Sequence, residues 1–326
     1  MKKVSVIVPI YNVAAYIARC VRSLLGQTLD DVEFIFVDDC SSDDSMHILE
    51  DTLKEFPKCA TMIKMIHHSQ NMGLPVARNS GLKVAAGEYI FHCDSDDWIE
   101  STALENLYYA AKQRRADFVW CDWYLAFSQS RRLMKQPNYC TPREALRGML
   151  AGTMKYNVWN KLIKKELYTK NGILFPVGHG MGEDMTIIRL LACAKQVAYV
   201  PKALYNYVKR EGEAFTNSWS KSHLDDLFFN TYTTLVFLKK AVNLNMQEEI
   251  AWFELNAKYP FLISKDYALY GLWQQHFTEA HGYIWTNSHA SLRCKILQTA
   301  AVHRQYWFLY LHYQIVYKFI YGIIYK

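Results

Sequence analysis

Asp94, Asp96 and Asp97 crowd into four positions directly after the apolar run Tyr89-Ile90-Phe91. Like charges 4 Å apart repel by about 1 kcal/mol per pair even in water. A chain that gathers them at the end of a strand must gain something from a cation or a substrate. Asp-x-Asp at a strand end offers carboxylate oxygens at alternate positions, which suits Mg2+ or Mn2+ held by one or two carboxylates, waters and a diphosphate. Two other polar clusters also end apolar runs: Pro9-Ile10-Tyr11-Asn12 and Asp38-Asp39-Cys40-Ser41. A further acid pair, Glu183-Asp184, follows the glycine-rich Val177-Gly178-His179-Gly180-Met181-Gly182. The helical stretch after Met185 turns its positive end toward that pair, where either acid can also serve as a plain helix cap.

These clusters need a frame. Residues 4–9, 33–37, 62–66 and 89–93 are short runs rich in β-branched or aromatic residues, and they read as strands. Ile17, Val21, Leu24 and Leu25 mark one face of a helix between the first two. A second helix, capped by Ser41 or Ser42, carries Ile48, Leu49, Leu53 and Phe56 inward and stops at Pro57. A third spans 75–86, with Pro75 in its first turn and Gly87 just past its end. Alternating strands and helices imply a parallel sheet covered on both faces. Such sheets bind ligands beyond the carboxyl ends of their strands, where all three polar clusters fall. After residue 100 the chain reads as a helix at 102–115, a strand at 117–125, a polar loop at 128–139 and a helix at 143–151. The segment Tyr156-Asn157-Val158-Trp159-Asn160-Lys161-Leu162 follows, and from about Ser222 the chain is mainly helical.

Several chemistries are excluded. An EF-hand needs Gly at the sixth loop position, and Trp98 and Ile99 interrupt its ligand spacing. A receiver-type phosphoacceptor carries its acid pair after the first strand, where this chain has Pro-Ile-Tyr-Asn. No GxGxxG follows that strand, and no Walker lysine loop exists. Eight cysteines occur without a CxxC pair; Cys20 and Cys93 lie in apolar patterns and read as small buried hydrophobes. The composition, 51% hydrophobic and 21% charged, is that of a globular chain; with a modest net charge of +6, no nucleic-acid partner is expected. The opening MKKVSVIVPIYN is too short for the apolar region of an export signal, so a cytoplasmic chain is expected.

The ordered set of motifs resembles the family 2 inverting glycosyltransferases of the GT-A fold, over residues 3–215. "SVIVPIYN" is similar to that family's opening strand, "IFVDDCSSDDS" to its second-strand signature and "NMGLPVARNSGL" to its Asn-x-Gly…Ala-Arg-Asn-x-Gly helix. "DSDDW" resembles its metal motif, and "GEDM" the acid pair that supplies its base. The resemblance implies an α/β GT-A domain with a nucleotide-sugar-binding half at 1–100, an acceptor-binding half at 101–221 and a helical C-terminal extension at 222–326. It implies a UDP-sugar donor and a Mn2+ or Mg2+ ion. Asp39, or Asp38 in its place, would accept the imide N–H of uracil, with Pro9 and Tyr11 beside base and ribose. Arg78 would sit near the nucleotide, or pair with nearby acids. Asp94, with Ser95 beside it, would hold ribose; Asp96 would ligate the metal, and Asp97 would be a second ligand or an outer helper. Asp184 would be the base, with Glu183 as the alternative. Lys161, Lys209 and Arg210 are candidates for diphosphate contacts, and Trp159 is either a site residue or core. A nucleotidyltransferase or an inactive nucleotide-sugar-binding module are the rival readings. The family usually has Gly where Cys40 stands, so either the turn differs or it does not need a left-handed backbone. Pro75, where the family often has Ser, costs little in a first helical turn.

The tail is a separate matter. No acidic residue follows Glu279, and "RQYWFLYLHYQIVYKFIYGIIYK" is amphipathic. On a helical wheel Arg304, Gln305, His312, Gln314, Lys318 and Lys326 share one half; Tyr306, Leu309, Tyr310, Tyr313, Val316 and Tyr317 begin the other. An aromatic, basic helix of this kind suits a membrane surface; packing on the catalytic domain, or on a second copy in a homodimer, is the alternative. Together with the resemblance, it leads to an acceptor such as a polyprenyl-linked glycan or another carbohydrate, used at the inner face of the cell membrane.

Overall fold

The structure, a computed structural model, describes residues 2–209, 219–241, 246–316 and 318. The first hundred residues fold as β1 (Val4–Ile10), α1 (Ile17–Leu25), β2 (Val32–Asp38), α2 (Ser45–Lys54), β3 (Ile63–His67), α3 (Leu74–Val84), β4 (Tyr89–His92) and β5 (Trp98–Ile99). Then come α4 (Ala103–Arg114), β6 (Phe118–Ala126), β7 (Arg131–Met134), α5 (Pro142–Leu150), β8 (Lys161–Lys164), α6 (Lys165–Lys170), α7 (Thr186–Cys193) and β9 (Val197–Val208). The last helices are α8 (Lys221–Ala241), α9 (Gln247–Lys258), α10 (Tyr267–Gln275), α11 (Leu292–Val302) and α12 (Tyr306–His312).

One mixed sheet runs β3-β2-β1-β4-β8-β6-β9-β5, with β7 attached to β6. β1 to β4 are mutually parallel, as their α-helical crossovers require. β8 is antiparallel to both β4 and β6, and so joins the parallel half to the rest without a break. β1 and β2 are buried along their whole length, which is why they read as continuous apolar runs.

The pleat divides the core. Val6, Val8, Phe34 and Phe36 face Ile17, Val21, Leu24 and Leu49 on one side of the sheet. Ile7, Ile35 and Val37 face the other, where Ala77, Leu146, Leu190, Leu235, Trp273 and Leu309 share the same apolar cluster. The C-terminal helices are therefore built onto the same core as α5 and α7. Cys20 and Cys93 are fully buried, as their apolar contexts imply.

Four local expectations change. α2 begins at Ser45, not after Ser41 or Ser42, because those serines tie down the turn before it: the Ser41 N–H bonds Asp38 Oδ1 at 2.9 Å and the Ser42 N–H bonds Asn12 Oδ1 at 2.9 Å. The polar loop at 128–139 contains β7, an edge strand too exposed to carry an apolar signal. Cys40 does adopt the left-handed backbone, at φ 63°, so the turn keeps its shape despite the β-carbon. Finally, the tail presents the opposite face to that read from the wheel. Leu309 is fully buried, and Tyr306 and Tyr310 pack on Tyr267 of α10. Trp307, Leu311 and Ile315, from the half that holds the basic residues, point outward. Among the described residues no helix is long and apolar enough to cross a membrane; the tail residues Tyr317 and 319–326 lie outside them.

Candidate active site

Strand register brings the sequence clusters to one edge. Ile10 aligns with Asp38, Asp38 with His67, and Ile7 with His92. The residues just beyond these ends, Tyr11, Asp39 and Asp94, therefore emerge side by side at the carboxyl end of the parallel half. Pro9 is buried within β1, whereas Tyr11 is exposed. Asp39 is buried and held from three directions. Its Oδ1 accepts the Met72 N–H at 2.9 Å and faces His68 Nδ1 at 2.6 Å; its Oδ2 accepts the Gly73 N–H at 2.8 Å. A carboxylate has about four acceptor positions, so one on Oδ2 remains. Asp38 accepts the Ser41 N–H and meets His67 Nδ1 at 3.3 Å.

The acidic turn after β4 divides its work. Asp97 is fully buried: Oδ2 accepts the Tyr205 hydroxyl at 2.7 Å and Oδ1 the Val208 N–H at 2.7 Å. Burial, with Asp96 and Asp94 nearby, pushes its pKa well above the usual carboxylate range. Tyr205 also accepts the Asp94 N–H at 3.1 Å, so β9 anchors the turn at two points. Asp96 is half-buried and Ser95 buried. Among the described residues no group of three or more His, Cys, Asp or Glu side chains is arranged to hold a metal ion. The donor set fits a smaller demand: Mg2+ or Mn2+ needs only one or two protein carboxylates beside water and diphosphate oxygens, and the half-buried Asp96 could supply one.

Arg78, buried on α3, ties two parts of the chain together. Its Nε donates to Glu183 Oε1 at 3.0 Å and Oε2 at 3.3 Å, and its Nη2 donates to Asp94 Oδ1 at 2.9 Å. Nη1 has no partner among the described residues. Burial alone would lower the Arg78 pKa, but Glu183, Asp94 and Asp184 outweigh it and raise it. Burial in turn pushes Glu183 up to about 7 and Asp184 up to about 6, with Arg78 pulling both back. Three carboxylates against one guanidinium leave the cluster short of positive charge, which a proton can supply near neutrality.

The cleft beside this cluster measures about 490 Å3 and is lined by Arg78, Asp94, Asp184, Trp159, Tyr207 and Asp226, among others. Trp159 is both core and wall: its ring stacks on Tyr205 at 4.4 Å and on Tyr207 at 5.4 Å. Leu74 adjoins the Met72–Gly73 amides that hold Asp39, and it links the cleft to the β1–β2 edge. Pro9, Tyr11, Asp38, Asp39, Ser95, Asp96 and Asp97 do not line the cleft itself. A second cavity, of about 520 Å3 between α5, α8 and α9, shares none of its lining. Lys161 does not reach the cleft. It is buried, and Nζ spends its three donors on Lys155 O, Asn157 O and Asn160 Oδ1 at 2.9, 2.7 and 2.7 Å. Burial lowers its pKa to about 7, partly offset by Asp184. Lys209 is exposed with Nζ over the Phe127 ring, and Arg210 lies outside the described residues. Sequence reasoning missed His223 and Asp226, which also line the cleft; "KSHLDDLFFN" reads only as the start of a helix.

A mixed α/β sheet with acids at its parallel strand ends, a cleft beside them and helices packed behind is the architecture of the GT-A fold. The chain belongs to glycosyl transferase family 2, whose profile matches residues 5–186. It is 34% identical over 249 residues to a cholesterol galactosyltransferase of Borreliella burgdorferi, covering 72% of this chain and 67% of that protein. The crystal structure of S. aureus TarS 1-349 superposes with a TM-score of 0.69 at 19% identity, covering 96% of this chain and 91% of the other. The same protein has been solved in complex with UDP-GlcNAc. A mannosyltransferase of Pyrobaculum calidifontis, in complex with GDP-Man and Mn2+, superposes with a TM-score of 0.52 at 17% identity over 95% of this chain and 83% of its own. These likenesses establish the GT-A fold.

Proposed function

We propose that this glycosyltransferase moves a sugar from a UDP-sugar to a carbohydrate hydroxyl with inversion, and that Asp184 takes the hydroxyl proton. One observation carries the reading: both acids line the cleft with raised pKa values, but Arg78 engages both oxygens of the buried Glu183, while Asp184, raised to about 6, is the more exposed of the two. A base poised near neutrality is ionised in a large fraction of molecules yet still basic enough to accept a proton. In one displacement the acceptor oxygen bonds the anomeric carbon as the bond to the diphosphate oxygen breaks. The proton passes to Asp184, and UDP leaves with the electron pair.

At the donor end, the remaining acceptor position on Asp39 Oδ2 suits the uracil imide N–H, with Asp38 as its substitute. Pro9 and Tyr11 flank base and ribose, and Asp94 and Ser95 lie on the ribose side. The unpartnered Arg78 Nη1 is a donor for a phosphate or sugar oxygen. A divalent cation held at Asp96, with Asp97 behind it, would neutralise charge on the departing diphosphate. The UDP-GlcNAc complex of TarS supports the nucleotide, and the Mn2+ complex of the mannosyltransferase supports the metal. At the acceptor end, the half-buried Tyr207, stacked on the buried Trp159, is the aromatic part of the cleft wall against which a sugar ring would rest. Trp307, Leu311 and Ile315, exposed among Arg304 and Lys318, favour attachment to an anionic membrane face. A glycan on a polyprenyl-diphosphate carrier, used in surface-polysaccharide assembly, fits both features.

The test is nucleotide release by the full chain from a panel of UDP- and GDP-sugars, with and without Mn2+. Mn2+-stimulated release from one UDP-sugar is expected. A GDP preference overturns the nucleotide reading; UDP binding without release makes the chain a binding module.

A further inference from the structure

The loop that delivers Glu183 and Asp184 has almost no packing of its own. Gly178 and Gly182 take left-handed backbones, at φ 78° and 84°. A β-carbon at Gly178 or Gly180 would meet no atom within 4 Å. Internally the loop is closed by the His179 N–H to Pro176 O at 3.1 Å and the Glu183 N–H to Gly180 O at 3.2 Å.

The support comes from α8. Asp226 Oδ1 faces His179 Nδ1 at 3.0 Å, and its Oδ2 accepts the Met181 N–H at 3.3 Å. One turn on, the buried Asn230 donates from Nδ2 to His179 O at 3.2 Å and to Met181 O at 2.9 Å. Between them Phe229 stacks on the His179 ring, with centroids 3.7 Å apart. Thr231 then reaches Met185 Sδ at 3.7 Å, beyond the acid pair. Residues 226 and 230 share a helix face, so one rigid element grips the loop on both sides of Asp184. This element lies outside the family-matched residues 5–186.

We propose that α8 is part of the catalytic apparatus, with Asp226 and Asn230 as positioning residues that hold Asp184 at the attacking hydroxyl. The inference rests on Asp184 being the base. Misplacing a reacting group by about 1 Å costs about 10²-fold in rate, and neither residue is among those assigned to the uracil.

The experiment compares Asn230→Ala, Asp226→Ala and Asp226→Asn in the full chain for transfer kcat, donor KM, UDP affinity and thermal midpoint. Both alanine variants should lose about 10²-fold in kcat, far more than they lose in UDP affinity. Asp226→Asn, which keeps an acceptor for the Met181 N–H, should recover much of that loss. Unchanged kcat in Asn230→Ala overturns the clamp. So does a kcat loss that falls in step with UDP affinity and thermal midpoint, or that Asp226→Asn fails to relieve. Asp184→Asn measured alongside separates the two ideas. If it still transfers, the base assignment fails; if it is inactive while the α8 variants are active, only the clamp fails.

Discussion

The two sides of the cleft are built differently. The donor edge comes from β1, β2 and β4, all within the first hundred residues, and each polar cluster sits immediately past a strand end. Parallel register alone sets them side by side. On the acceptor side, Glu183 meets Arg78 across 105 residues of chain, Trp159 meets Tyr205 and Tyr207 by stacking, and α8 closes over the loop. Local geometry therefore places the proposed nucleotide contacts, while long-range packing tunes the proposed base. Changes on the acceptor side should cost kcat, and changes on the donor side should cost UDP affinity or metal response.

The largest expected effect follows from the acid pair. Asp184→Asn should lose at least about 10²-fold in transfer while retaining metal-dependent UDP binding. Glu183→Gln should spare more activity but lower thermal stability, because breaking a buried ion pair costs about 3–5 kcal/mol. In the unmodified enzyme the rate should fall as pH drops below about 6, since burial raises the Asp184 pKa to that value and the protonated acid cannot accept a proton. Full transfer by Asp184→Asn, with none by Glu183→Gln, would move the base by one residue.

A second contrast lies within the acidic turn. Asp96→Asn should abolish the response to Mn2+ while the chain still folds. Asp97→Asn should keep that response and lower the melting temperature, because Asn offers a single acceptor oxygen to two donors, Tyr205 and Val208. An unmet buried donor costs about 1–3 kcal/mol. If Asp97→Asn is stable but insensitive to Mn2+, Asp97 is itself a metal ligand.

That contrast also marks how far the sequence was legible. Four strands, their crossover helices and the acidic strand ends follow from periodicity and turn chemistry, because each is decided within a few residues. Asp96 and Asp97 look alike in sequence; only the return of β9 more than a hundred residues later buries one and leaves the other half-exposed. Lys161 reads as a free cation for the same reason, until the fold surrounds it with backbone carbonyls. Asp226 and Asn230 carry no signal of their own, since an acid and an amide on an amphipathic helix are usually solvated. For the tail, the wheel left packing on the catalytic domain open as the alternative, and Leu309, Tyr306 and Tyr310 take it against α10; the periodicity of one helix cannot choose between a membrane and a neighbouring helix.

The tail supplies a smaller prediction on the acceptor side. Trp307→Ser and Leu311→Ser should each weaken binding of the full chain to anionic vesicles, by up to about 2 kcal/mol per buried side chain. Added salt should weaken it further if basic residues share the contact. Vesicle binding that survives both substitutions, or a change in oligomeric state in their place, would assign the exposed face to a second copy of the chain.

The smallest effect belongs to the donor edge. Cys40 holds a left-handed backbone, which costs a residue with a β-carbon about 1–2 kcal/mol. Glycine removes that strain but loses about 0.5–1 kcal/mol through the greater freedom of the unfolded chain. Cys40→Gly should therefore gain up to about 1 kcal/mol, read as a higher urea midpoint at constant slope. The turn is already pinned by the Ser41 N–H on Asp38 and the Ser42 N–H on Asn12. Its shape, and with it UDP affinity, should not change. A loss of UDP affinity in this variant would mean that the exposed thiol contacts the nucleotide, and that the donor edge depends on more than its strand ends.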